Sequence, residues 1–166
     1  MAEPNLIDRL QPCLLDRLTT DRPRDSVDFR HERYVSLQRY RQGVERDLEW
    51  LLNAEAHLFP TGTDRKHLER FRLLLGSVLN FGVTPIVGLT AARVEDIRDK
   101  VSEAIRRFEP RISPSTLEVV VKKEDGQLTL RIRGVLWANP IPESLDIRSR
   151  IDLETGSCVM GDAAHG

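Results

Sequence analysis

Apolar residues recur every three or four positions through most of the chain up to about residue 108, and every second position after residue 116. Leu37, Tyr40, Val44, Leu48, Leu51 and Leu52 share one face of a helix predicted over about Ser36–Ala54, with Arg39, Glu45, Arg46 and Glu49 opposite. Pro60, Gly62 and Asp64 interrupt the pattern, and Thr63 or Asp64 is suited to cap the next helix. That helix is predicted over about 65–79, burying Leu68, Phe71, Leu75 and Val78. The stretch 80–88 is mostly apolar yet punctuated by Gly82, Pro85 and Gly88, which predicts a connection packed against the core. A third helix follows over about Ala92–Phe108, with Val94, Ile97, Val101, Ile105 and Phe108 inward. Pro110 disfavours helix at the residue before it and ends the element there.

Alternation then predicts strands. Leu117, Val119 and Val121 face one way, and Asp125-Gly126 supplies the turn of a hairpin. On the return strand Leu128, Leu130, Ile132 and Leu136 are inward, with Thr129, Arg131 and Arg133 outward. Leu145, Ile147 and Ile151 repeat the scheme against Asp146, Arg148, Arg150 and Asp152, and a short last strand follows the Thr155-Gly156 turn. Helices first and an antiparallel sheet afterwards give an α+β class, with the N-terminal helices packed on one sheet face and the other left polar.

Residues 1–26 are expected to form an appendage, and 27–166 one α+β domain. Leu6, Ile7, Leu10, Leu14, Leu15 and Leu18 make a short helical stripe, followed by a polar, Pro-broken linker. Such a stripe docks either on its own domain or in the groove of a partner, which makes Leu14, Leu15 and Leu18 candidate interface residues.

Charge narrows the function. Lys+Arg is 25 and Asp+Glu is 26, a net of −1, which lacks the strong basic footprint of a protein held by nucleic-acid phosphates. Only four basic residues are lysine; genomic base composition explains that simply, and bidentate pairing at interfaces is the functional alternative. Cys13 and Cys158, far apart, suit a reducing compartment better than a disulfide scaffold. The start lacks the pattern of a signal peptide and no apolar run approaches the ~20 residues of a membrane span, so a soluble cytoplasmic protein without membrane insertion is expected.

Candidate chemistry is sparse. No glycine-rich phosphate loop is present, and His31, His57, His67 and His165 show no i,i+4 pairing for a metal. No catalytic residue, metal or cofactor is therefore expected. Glu109 is the best-placed carboxylate, but Arg106, Arg107 and Arg111 around it favour an ion pair over the protonated acid that a glycosidase needs. Arg131, Arg133, Arg148 and Arg150 share one sheet face if their strands pair, with Asp146 and Asp152 among them. They form a solvated ladder of cross-strand pairs or a surface for an acidic protein.

Several segments together resemble a known family. Ser77-Val78-Leu79-Asn80-Phe81-Gly82-Val83, Gly88-Leu89 and Ala104-Ile105-Arg106-Arg107-Phe108-Glu109-Pro110-Arg111 are similar to the wedge family of contractile-tail baseplates. Leu130–Trp137 and Asp152-Leu153-Glu154-Thr155-Gly156 fit the same family's sheet. Val44–Asn53 and Leu14-Leu15-Asp16-Arg17-Leu18 resemble its type VI secretion branch, TssE. The resemblance implies a non-catalytic subunit of the cytosolic baseplate that works with TssF, TssG and TssK beneath the TssB/TssC sheath. It also implies a sheet that templates the first sheath ring, and an assembly role for Glu109, Pro110 and Arg111. On that reading Pro110 stiffens a corner from which Glu109 and Arg111 bond to a partner, with bonds inside the domain as the alternative. Arg111→Ala is then expected to leave the fold intact and impair assembly. A peptidoglycan-cleaving tail enzyme and a regulatory anti-adaptor-like module of similar fold are the competing functions.

Overall fold

The computed structural model describes residues 10–13, 15–16, 35–56, 71, 73–83, 94–124, 127–138, 142–152, 155 and 157–161. Helix α1 spans Leu37–Asn53, one residue short at each end of the expected range. Ser36 is its N-cap, its hydroxyl accepting from the Arg39 N–H at 3.3 Å. Tyr40, Val44, Leu48, Leu51 and Leu52 are buried, as the periodicity requires. Helix α2 spans Val94–Phe108, with Glu95 and Asp96 in its first turn and Arg106 and Arg107 in its last, charges that complement the helix dipole. It stops at Phe108, as Pro110 dictates.

Four strands follow: β1 (Glu118–Glu124), β2 (Gln127–Leu136), β3 (Glu143–Ile151) and β4 (Cys158–Gly161). They pair antiparallel in the order β1-β2-β3-β4, a meander whose edges are β1 and β4. Val119 and Val121 lie opposite Ile132 and Leu130, and Ile132 lies opposite Ile147, so the inner face is a continuous apolar surface. Helix α2 packs on β1, helix α1 on β4, and the helices touch each other. The expected α+β layering is therefore present, with both helices on one face. Burying about a dozen large aliphatic side chains between two layers drives this arrangement.

The polar groups inside this core are paired. Ser149 is buried opposite Met160 and accepts a hydrogen bond from the Cys158 thiol at 3.3 Å. Burial pushes the Cys158 thiol up, so it stays protonated and keeps its donor. Asn53, at the end of α1, donates from Nδ2 to the Cys158 carbonyl and accepts at Oδ1 from the Cys158 N–H, both at 2.8 Å. Its side-chain amide thus offers β4 the donor and acceptor that a neighbouring strand would present.

One expected helix is corrected. Residues 73–76 form turns and Val78–Asn80 a single 3-10 turn, where an α-helix was predicted to run to residue 79. Phe71 (63% exposed) and Val78 (82%) are not in the core, and Leu73 is 88% exposed. The cause is local competition for backbone carbonyls: the Ser77 hydroxyl donates to the Leu74 carbonyl, and Asn80 and Arg107 both donate to that of Leu75. Residues 65–70 and 72 lie outside the described residues, as does the Asp125-Gly126 turn. The predicted packed connection is seen over residues 80–83, where Asn80 and Val83 are buried and the Phe81 ring meets Phe108 edge-on at 5.4 Å. Gly82 has φ +129°, and a Cβ there would lie 2.4 Å from the Ala54 carbonyl oxygen, so only glycine fits between α1 and this loop.

Candidate protein interface

The corner after α2 is built by pairing within the domain. The Glu109 N–H closes the helix onto the Ile105 carbonyl at 2.9 Å, and the chain turns through Pro110 to an Ile112 N–H bonded to the Glu109 carbonyl. Beyond it, residues 111–116 run beside the end of β2. The Trp137 N–H donates to the Arg111 carbonyl at 2.7 Å, Ile112 bridges Leu136, and the Ser113 N–H reaches the Val135 carbonyl at 2.9 Å. The sheet therefore holds the corner from behind.

Glu109 is 4% exposed, and its carboxylate is gripped bidentately by Arg111, whose Nε donates to Oε1 at 2.7 Å and whose Nη2 donates to Oε2. The same Nη2 reaches Asp47 Oδ2 on α1 at 2.6 Å. Asp47 Oδ1 in turn accepts from Arg46 Nη2 at 2.7 Å, and Arg46 Nη1 reaches Asp16. A chain of alternating charge, Asp16–Arg46–Asp47–Arg111–Glu109, thus joins the N-terminal segment, α1 and the corner. Burial opposes the charge of Arg111, yet its bonds to Glu109 and then Asp47 outweigh that and hold its pKa above the ordinary value. The bond from Arg46 holds the Asp16 carboxyl below the usual carboxylate range. Tyr40 lies beneath the corner: burial raises its phenol, and its hydroxyl donates to the Trp137 carbonyl at 3.2 Å.

The two charges of the corner therefore point at each other and at α1. Pro110 is exposed, and Trp137, whose backbone is bonded to the Arg111 carbonyl, is 73% exposed. Sequence reasoning missed Asp47, Asp16 and Trp137 as parts of this corner. It also placed Arg46 on the solvent face of α1; in the structure Arg46 is half-buried between two carboxylates and lies 5.0 Å from the Trp50 ring centre. Adjacent Arg46-Asp47 beside the apolar stripe was the available signal.

The outer sheet face brings Arg131, Arg133, Arg148 and Arg150 together, in the register that their spacing required. Arg131 donates to both oxygens of Asp146, and Arg133 lies 3.3 Å from Glu118 and 3.7 Å from Asp146. The cross-strand ladder is real for these two, while Arg148 and Arg150 are exposed. In the N-terminal segment Leu15 is exposed, and Leu14 and Leu18 lie outside the described residues, as do all four histidines. Leu10 is buried, and its carbonyl accepts the Val35 N–H at 2.8 Å. Among the described residues no cluster of three or more His, Cys, Asp or Glu is placed to hold a metal ion. No helix among them is long and apolar enough to cross a membrane.

Residues 38–141 match the family described as baseplate wedge protein gp25, from the first turn of α1 through the corner to the loop after β2. The chain belongs to this family. The match covers α1, α2, β1 and β2, and with them every residue of the corner's charge chain except Asp16. No curated protein and no solved structure matches the chain. The coarse role of a wedge-family member is structural, within a baseplate.

Proposed function

We propose that this chain is the TssE-type subunit of a type VI secretion baseplate: a non-catalytic wedge component that joins TssF, TssG and TssK to the TssB/TssC sheath and templates sheath assembly at the cytoplasmic side of the inner membrane. The corner carries the reading. Glu109 and Arg111 lock each other and α1, and what the lock presents outward is Pro110 together with Trp137. A mostly exposed tryptophan, tied through its backbone to the residue after an exposed proline, is the kind of anchor around which protein interfaces concentrate their binding energy. In this reading Glu109 is a positioning residue, Pro110 and Trp137 make the contact, and Arg111 contributes its exposed margin.

Two further features support the reading. Among the described residues β1 is an edge strand with no partner on its outer side, which suits a strand added by the sheath. Exposed Leu15, on a segment tied to the domain by Leu10 and Asp16, suits a further contact from residues 1–26 as an appendage to the 27–166 domain. A wall-cleaving enzyme needs a carboxyl that meets its substrate, and Glu109 is sequestered behind Arg111.

The test is capture from the native host with wild type and with Pro110→Ala/Trp137→Ala, the bound proteins read by mass spectrometry. Wild type is expected to recover wedge and sheath proteins, and the variant to lose one of these groups while melting like wild type. Recovery of no baseplate protein by wild type would overturn the proposal.

A further inference from the structure

The face of the sheet away from α1 and α2 has a charge pattern that the ladder does not explain. Of the rows that cross it at right angles to the strands, three carry its basic residues, and the Glu124–Gln127 pair lies one row beyond Lys122. Glu118, Arg133 and Asp146 form the first, Val120, Arg131 and Arg148 the second, and Lys122, Thr129 and Arg150 the third. The first row is balanced by its own carboxylates. The second sets Arg131 directly opposite Arg148, a like-charge pair that is unfavourable across two strands. Arg131 escapes diagonally to Asp146, which leaves Arg148 with Lys122 and Arg150 as a cationic patch. Among the described residues, none of these three has an ion pair. Between the rows lies a shallow groove of about 230 Å³ lined by Val120, Lys122, Thr129, Arg131, Arg133 and Arg148.

From this pattern we infer that the outer sheet face binds an extended acidic segment of a partner protein, with carboxylates at alternate positions. Rows two residues apart on a strand are separated by about 6.8 Å, which is also the spacing of same-side residues on an extended chain. Carboxylates at i and i+2 of a segment lying along β3 thus meet Arg148 and then Arg150, with Lys122 two strands away across the same row as Arg150. The Asp146–Arg131 pair fixes a guanidinium in the groove before the partner arrives, so less side-chain freedom is lost on binding. Nucleic acid fits the face less well: among the described residues no aromatic ring lines the groove for a base to stack on. The surface rests on the charge rows alone; only the partner's membership of the baseplate rests on the proposed function.

The probe is a synthetic peptide of alternating Glu and Ser, titrated by fluorescence anisotropy at low salt into the full chain. Wild type is expected to bind, and Arg148→Gln/Arg150→Gln to bind at least about 10-fold more weakly with an unchanged melt. The control Arg98→Gln/Arg106→Gln removes two exposed charges from α2 and is expected to change affinity less than about 2-fold. Absence of binding by wild type, equal loss in both variants, or tighter binding of a single-stranded oligonucleotide of the same charge would each overturn the inference. If peptide binding fails while wedge proteins are still captured, this surface falls and the baseplate role stands; the reverse result removes the role and leaves the surface.

Discussion

Arginine serves opposite ends in two parts of this molecule. At the corner, Arg111 and Arg46 are each held between carboxylates and stitch α1, the N-terminal segment and the turn after α2 into one body. On the outer sheet face, Arg148 and Arg150 stand in solvent with no such partner among the described residues. The difference lies in what burial does to a charge. Glu109 is out of water, so its carboxylate depends on Arg111, whereas a solvated guanidinium depends on nothing inside the fold. One set of arginines therefore fixes shape, and the other is left available for contact.

The largest effect that sharpens this contrast is Arg111→Ala. Its removal strands Glu109, and a stability loss of about 3–5 kcal/mol is expected in urea unfolding. The sequence expectation that the variant folds normally had the arginine facing a partner; in the structure it bonds to Glu109 and Asp47, the alternative of bonds inside the domain. Adding Glu109→Gln to Arg111→Ala is expected to recover part of the loss, since a neutral amide is less costly to leave in the corner. An unchanged urea midpoint in Arg111→Ala would break the comparison. Arg46→Ala comes next, at about 1 kcal/mol, discounted because its side chain is 34% exposed.

Acid is expected to act more gently. Asp16 and Asp146 have pKa values below the ordinary one in the folded state, so their ion pairs contribute stability above the unfolded carboxylate value, and that contribution disappears as pH falls through the folded values. Thermal melts from pH 7 to pH 3 are expected to lose midpoint only below about pH 4, and a fall beginning near pH 6 would point to other groups. The smallest effect belongs to Arg148→Gln, for which the melting midpoint is expected to stay at the wild-type value. A drop of several degrees would show that the outer face also holds the fold.

Much of this architecture was legible in sequence because one signal dominated each element. The α1 stripe came with a serine cap, and the strands came with strict alternation and polar turns. The segment after residue 70 misled because its leucines fit a helical period while Ser77, Asn80 and Arg107 claimed the carbonyls a helix would use. Half of the corner was visible as Glu109-Pro110-Arg111. Its inward direction was not, since the deciding partner, Asp47, is 64 residues away from Arg111 along the chain and nothing local marks the two as neighbours.

Asn53 gives the molecule a mechanical property that oily packing alone lacks. Aliphatic surfaces resist separation but tolerate sliding, because a helix shifted slightly along a sheet finds nearly the same contacts. Two opposed hydrogen bonds between one amide and Cys158 have no such tolerance. They act as a pin through two plates, so a tug on β4 is felt at the end of α1 without slack.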